Sequence, residues 1–271
     1  MTDGAEIGVF GGSGLYALLD DVTEVAVETP YGAPSSSLHL GTHHGRRVAF
    51  LPRHGLDHSI PPHRINYRAN VWAMRELGVT RILAPCASGS LQPQLKPGDF
   101  VVCDQLVDRT HDREQTYFDG PGANHVSFAD PYCSELRAVA SAAGRAEDIT
   151  VHDHGTVVVV QGPRFSTRAE SKWYREAGWD VINMTQYPEA YLARELGICY
   201  ATIALITDYD VGVEGVDGIE AVTQEEVFAF FDRNVDRVRG VLFRAIDTVP
   251  TVRACTCAAG PNGMTPPPPL L

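Results

Sequence analysis

Positive charge is what this chain has least of: 22 Lys and Arg stand against 34 Asp and Glu, a formal charge of −12. No basic stripe is present that could neutralise phosphates in series, which argues against a nucleic-acid or anionic-membrane partner. One small anion in a local basic pocket remains compatible with that balance. Long hydrophobic runs are also missing. No apolar stretch approaches the ~20 residues of a membrane-spanning helix. No basic segment with a cleavage site precedes the first strand-like run at Ile7, so the expected compartment is the cytoplasm.

Cysteine is sparse, six in 271 residues, which is no disulfide framework for a chain of this length. Cys86, Cys103 and Cys199 lie in or beside apolar runs and read as small buried thiols. Cys255 and Cys257 fall in a polar tail and are expected to be exposed. Their C-x-C spacing is wrong for a zinc finger, and no His or Cys cluster accompanies them in sequence. A redox pair and an incidental tail both remain open.

What is present is an alternation of short apolar runs and helical patterns. Ile7–Phe10, Val48–Leu51, Arg81–Ala84, Phe100–Cys103, Thr156–Val160, Asp180–Ile182 and Cys199–Ile206 read as strands. Arg64–Glu76, Ser134–Ala143, Thr167–Glu176, Pro188–Glu195 and Thr223–Ile246 carry apolar residues at three-to-four spacing and read as helices. The elements interleave without a linker. The expectation is one α/β domain over residues 1–250, with a mixed, largely parallel central sheet flanked by helices. Residues 251–271, with the C-x-C and Pro266–Pro269, read as a flexible extension.

Chemistry collects where the strands end. Thr207-Asp208-Tyr209-Asp210 closes the apolar run from Gly197, and two carboxylates there are expensive to bury unless a ligand meets them. Gly11-Gly12-Ser13-Gly14 follows the first strand, where glycines let backbone N–H groups face an anion. Gly12 to Ala17 also matches the dinucleotide pattern GxGxxA, with Glu28 as its ribose acid. The seven residues before Val22 are too few for the crossover helix that fold requires. A plain structural turn is the third reading. Arg53-His54-Gly55 offers a planar fork for phosphate and a second donor. His54, His58 and His63 suggest a metal only superficially, because Pro61 and Pro62 interrupt any helix that would align them. Cys86 to Ser90, Gly162 to Thr167 and Asn183 to Thr185 add small donors and one aromatic, and together these turns are expected at the tips of five parallel strands.

In order, GVFGGSGLY, PRHG…HSIPPHRINYRAN, SGSL…PGD, DRT, DPYC, GPRFSTRAES, INMT, PEAYLARELGICYA and TDYD closely resemble the trimeric purine nucleoside phosphorylase family, in its 5′-methylthioadenosine phosphorylase branch. The resemblance covers roughly residues 6–246. It implies phosphorolysis of a purine nucleoside by inorganic phosphate, with no metal, organic cofactor or covalent nucleophile. It implies phosphate binding by Ser13, Arg53, His54, Cys86, Ala87 and Thr185. The position of Cys86 usually carries Thr or Asn, and a thiol is the poorer donor. Met184 matches the residue under the ribose, Phe165 the aromatic beside the purine, and Ser166 a further base-pocket position. Asp208 is implied as the acid at purine N7, and Asp208 with Asp210 as acceptors for a 6-amino group, which favours adenine over 6-oxopurines.

The same resemblance assigns Gln224, Val227 and Phe228 to the 5′ pocket. Gln224 stands where the methylthioadenosine branch usually has an apolar residue and the ordinary nucleoside branch His. It either donates to a 5′-hydroxyl or turns to solvent. His125 matches a residue that a neighbouring subunit lends to the pocket, which implies a homotrimer. In archaeal members the C-x-C, here Cys255 and Cys257, forms a disulfide and other cysteines pair too; Cys133 and Cys199 match positions that are sometimes cysteine there.

Overall fold

Four strands that are apolar on both faces form the centre of the sheet, as β-branched runs do when both faces are covered. They are β1 (Ile7–Gly11), β4 (Arg46–Pro52), β5 (Arg81–Ser90) and β11 (Cys199–Tyr209). The computed structural model describes residues 4–11, 20–211, 213 and 222–264. β1 lies between β4 and β5, and β11 lies beyond β5, all parallel. β2 (Asp20–Val25) and β3 (Leu38–His43) extend one edge as an antiparallel meander. Beyond β5, β10 (Val181–Asn183), β9 (Thr156–Val160) and β7 (Gln105–Arg109) run parallel to one another. β6 (Phe100–Val101) and β8 (Val151–His152) branch from β11, and all eleven described strands form one sheet.

The two faces separate with period two. Ile82, Ala84 and Cys86 of β5, with Tyr200, Ala204 and Ile206 of β11, share one core with α1 (Tyr67–Glu76) and α4 (Gln186–Glu195). Leu83 of β5, with Cys199, Ala201, Ile203 and Leu205 of β11, faces α2 (Ser134–Ala146) and α6 (Val235–Thr248). Such alternation is what a strand covered on both faces must show. α3 (Arg168–Glu176) and α5 (Gln224–Arg233) each start at a capping box, Thr167 with Glu170 and Thr223 with Glu226.

Several expectations change. The helix read as Thr223–Ile246 divides at Asn234, whose side chain donates to Phe230 O (2.9 Å). The strand tips are not five parallel ones, because β10 meets β5 antiparallel, with Ile182 opposite Gly89. Nor does Asp208 follow the end of β11: the strand runs on to Tyr209, and only Asp210 lies beyond it. Thr207 has no counterpart in the register, since Ile206 pairs with Ser88 and Asp208 with Gly89. This β-bulge re-aims the side chain that follows it.

The C-terminal segment is also not a free tail as far as residue 264. Arg253 donates to Gly197 O (2.8 Å), Ala254 N to Glu135 Oε2 (2.8 Å), and Asn124 to Pro261 O (3.2 Å). A short 3-10 turn over Cys257–Ala259 buries Cys257. Pro266–Pro269 and the rest of residues 265–271 lie outside the described residues. Among the described residues, no helix is long and apolar enough to cross a membrane.

Candidate active site

A cavity of about 470 Å³ opens where β5, β10 and β11 meet the loops after β4 and β9 and the start of α5. Arg53, His54, Cys86, Ala87 and Thr185 line it, as do Phe165, Ser166, Met184, Asp208, Asp210, Gln224, Val227 and Phe228. Two candidates are not among these. Ser13 lies outside the described residues. His125 is exposed on the loop before α2, where its carbonyl accepts from Asn262 (3.3 Å).

Arg53 is buried and held as a fork. Its Nε and Nη2 donate to Glu189 Oε2 (3.1 Å) and Oε1 (2.8 Å), and Nη1 donates to Pro85 O (3.1 Å). Burial alone would lower its pKa, but the Glu189 carboxylate outweighs that and raises it. Three of five guanidinium N–H groups are used, which leaves one on each Nη for an anion. Glu189 escaped the sequence reading. Its signal was a carboxylate on the same helical face as Leu192, Ala193 and Leu196, a position that needs a cationic partner.

His54 shares a hydrogen bond with Ile60 O through Nδ1 (2.8 Å) and stacks on His58 at 4.2 Å. Burial first, then His58, depress its pKa to about 3, so the ring is neutral. A neutral ring donating from Nδ1 has a lone pair at Nε2. The second donor expected here is therefore an acceptor, suited to an anion that still carries a proton. Cys86 Sγ lies 3.4 Å from Thr202 Oγ1 and accepts from Gln186 Nε2 (3.5 Å). Asn183 Oδ1 receives Thr185 N (2.7 Å) and Gln186 N (3.0 Å), while its Nδ2 donates to Ala87 O (3.0 Å). One amide thus pins the β10 turn to β5.

In the same cavity, Thr207 Oγ1 donates to Asp208 Oδ2 (2.7 Å), and burial raises the Asp208 pKa. Asp210 is pushed up to about 6 by burial, with Asp208 adding to the rise and Ser171 opposing it by a hydrogen bond. Its Oδ2 is buried with no partner among the described residues. A carboxyl whose native pKa is raised binds its proton more tightly folded than unfolded. The stability it lends is whole below about pH 4 and is lost as pH rises through about 6. Asp210→Asn is therefore expected to remove a slope in unfolding free energy between those limits, amounting to roughly 3 kcal/mol at most. Urea unfolding at pH 4, 5, 6 and 7 measures it; parallel curves for both proteins would refute the assignment.

Phe165 stands at the mouth, 38% exposed, an apolar ring without a cover of its own. Met184 lines the same cavity, and His58 meets the Phe228 ring edge-on at 4.7 Å. Gln224 is exposed but borders the same space. Arg113, which sequence reading missed, ties the loops together. It donates to Met184 O (3.0 Å), Tyr187 O (2.6 Å) and Gln161 O (2.8 Å). Nothing in the local sequence marks it, because its partners come from distant segments.

The site thus pairs a buried guanidinium fork with two protonatable carboxyls across a partly apolar space. Comparisons with known proteins show which family the chain resembles. The sequence is 56% identical over 272 residues to a purine nucleoside phosphorylase of Streptomyces coelicolor, covering 97% of this chain and 96% of the relative. It is 54% identical over 251 residues to an S-methyl-5′-thioadenosine phosphorylase of Mycolicibacterium smegmatis, covering 92% and 93%. Among solved structures, a methylthioadenosine phosphorylase from an Antarctic soil metagenomic library superposes with a TM-score of 0.88 at 40% identity, covering 95% and 91%. A Schistosoma mansoni methylthioadenosine phosphorylase in complex with adenine gives 0.85 at 40% identity, covering 90% and 91%. The sequence profile of the phosphorylase superfamily matches residues 6–247, the whole described sheet with α1 to α5 and all but the last residue of α6, and this chain belongs to that family.

Proposed function

We propose that this protein cleaves the N-glycosidic bond of 5′-methylthioadenosine with inorganic phosphate, giving adenine and 5-methylthioribose 1-phosphate. The observation that carries the reading is one cavity lined both by a buried guanidinium fork and by two carboxyls whose pKa values burial raises. The names of the relatives and structural neighbours support it.

Phosphate meets the two remaining N–H groups of Arg53, the Thr185 hydroxyl and Ser13, and Cys86 and Ala87 border it. The neutral His54 accepts from its protonated oxygen. The C1′–N9 bond breaks towards an oxocarbenium-like centre, its electron pair moving onto the purine. A phosphate oxygen below the sugar stabilises the cation and then bonds to C1′. Asp208 delivers its proton to N7, leaving neutral adenine, and is reprotonated from solvent. Asp208 and Asp210 accept from the 6-amino group, Phe165 and Ser166 border the base, and Met184 underlies the ribose. Val227 and Phe228 receive the methylthio group. The reaction calls for no metal ion or organic cofactor. His125 completes the 5′ pocket of a neighbouring protomer in a homotrimer, which light scattering tests directly.

A broader purine nucleoside activity is favoured by one observation, the polar, exposed Gln224 at the 5′ end, where a hydroxyl could be met. Methylthioadenosine, adenosine, inosine and methylthioinosine, assayed with and without phosphate, separate the two. Adenine release from methylthioadenosine that does not require phosphate would end the proposal.

Gly89 supplies a further test. A Cβ there would stand 3.0 Å from Ile182 Cγ2 and 3.1 Å from Asp208 Oδ1, so the carboxylate must give way. Displacing a reacting group by a fraction of an ångström to an ångström costs up to about 10²-fold. Gly89→Ala is expected to lower kcat while leaving the KM for phosphate near its starting value. A rise in phosphate KM with unchanged kcat would contradict the assigned geometry.

A further inference from the structure

Four of the six cysteines converge at the foot of β11, on the face of the sheet away from the Cys86 core. The Sγ atoms of Cys133, Cys199, Cys255 and Cys257 all lie within 4.8 Å of one another. Cys199 Sγ and Cys255 Sγ are 3.3 Å apart. Cys133, Cys199 and Cys257 are buried and Cys255 half-buried. The cluster that sequence spacing failed to show is assembled by tertiary structure. Cys199 opens β11, Cys133 is the N-cap of α2, and Cys133 N donates to Tyr200 O (2.8 Å). The C-terminal segment then folds over both and contributes the C-x-C pair.

We propose that these four thiolates form a structural zinc site, which fastens the C-terminal segment to β11 and α2. A zinc ion with Zn–S bonds of about 2.3 Å places its four sulfurs at tetrahedron corners with edges of roughly 3.8 Å. Mutual approach of all four is what one cation requires, whereas two disulfides require only two separate pairs at about 2.05 Å. The zinc-finger spacing rule concerns two ligands from one knuckle. Here, only one pair is local and the fold provides the other two.

The surroundings suit a dianionic cluster. The N-terminus of α2 lies at Cys133, where the helix dipole favours a thiolate. Arg194 is close enough to Cys257 to act on it electrostatically, and its side chain packs against Gly260. Arg253, two residues before Cys255, donates to the carbonyl of Gly197, two residues before Cys199 (2.8 Å). Binding releases four thiol protons for one Zn²⁺ and changes no oxidation state. All four ligand positions are filled by sulfur, so the site has no open position for substrate and serves stability.

The test is zinc content of the full-length chain purified without chelators. About one zinc per chain is expected by elemental analysis, falling to background in Cys133→Ser and Cys257→Ser and unchanged in Cys103→Ser. Cobalt exchanged into the wild-type protein should give the visible bands of tetrahedral thiolate coordination. The wild-type measurements decide the matter even if the serine variants do not fold. Absence of zinc both as purified and after incubation of the reduced chain with zinc chloride would overturn the site. So would non-reducing mass analysis after alkylation that shows these cysteines lost their hydrogens to disulfides.

Discussion

Asp208→Asn is expected to lower kcat/KM for methylthioadenosine by roughly 10²- to 10⁴-fold, the usual yield of a positioned general acid. An amide cannot deliver the proton to N7. The loss should be smaller for inosine-type substrates, because the new N–H₂ can donate to a 6-oxo group that the carboxylate repels. Preference for the 6-amino base therefore narrows or reverses. A second readout separates this from mere damage. Asp208 helps to hold the Asp210 pKa up to about 6. Removing its charge should move that titration towards acid, and the pH profile of kcat/KM with it. Equal loss on both classes of base, with an unmoved pH profile, would defeat the assignment.

Replacing Arg53 is the second large effect. Two charge-assisted hydrogen bonds to phosphate, each contributing about 1.5–3 kcal/mol, disappear in Arg53→Met. kcat/KM for phosphate should fall by about 10²- to 10⁴-fold. The same change leaves Glu189, fully buried, with only the Tyr200 hydroxyl (2.7 Å) for a hydrogen-bond partner among the described residues. Stranding a buried charge costs roughly 3–5 kcal/mol, so unfolding should shift markedly as well. Arg53→Met with Glu189→Gln removes the stranded charge. It is expected to recover most of the stability and none of the phosphate dependence. If phosphate saturation returned with the stability, Arg53 would be a structural residue and the anion site would lie elsewhere.

Much of the candidate site was legible because its residue types are unusual where they stand. Carboxylates beside the most apolar run, an arginine directly after a buried strand and glycine-rich turns all conflict with burial unless a ligand resolves them. Glu189 could have been found by the same logic, from its place on the buried face of α4. Arg113 could not, since its role is defined by carbonyls more than forty residues away. The antiparallel entry of β10 was equally hidden: three residues of strand carry no sign of direction.

The sequence by itself determined the α/β architecture, the apolar strands and the chemical types gathered in the cleft. Periodicity and composition are local properties, and each segment carries them unaided. Tertiary structure alone decided which groups meet. One unpaired residue, Thr207, turns Asp208 towards Gly89 and the cavity. Residues after Thr251 fold back to bring Cys255 and Cys257 against Cys133 and Cys199. Register and chain return depend on packing between segments far apart in the chain, and a side chain's partners are fixed only once that packing exists.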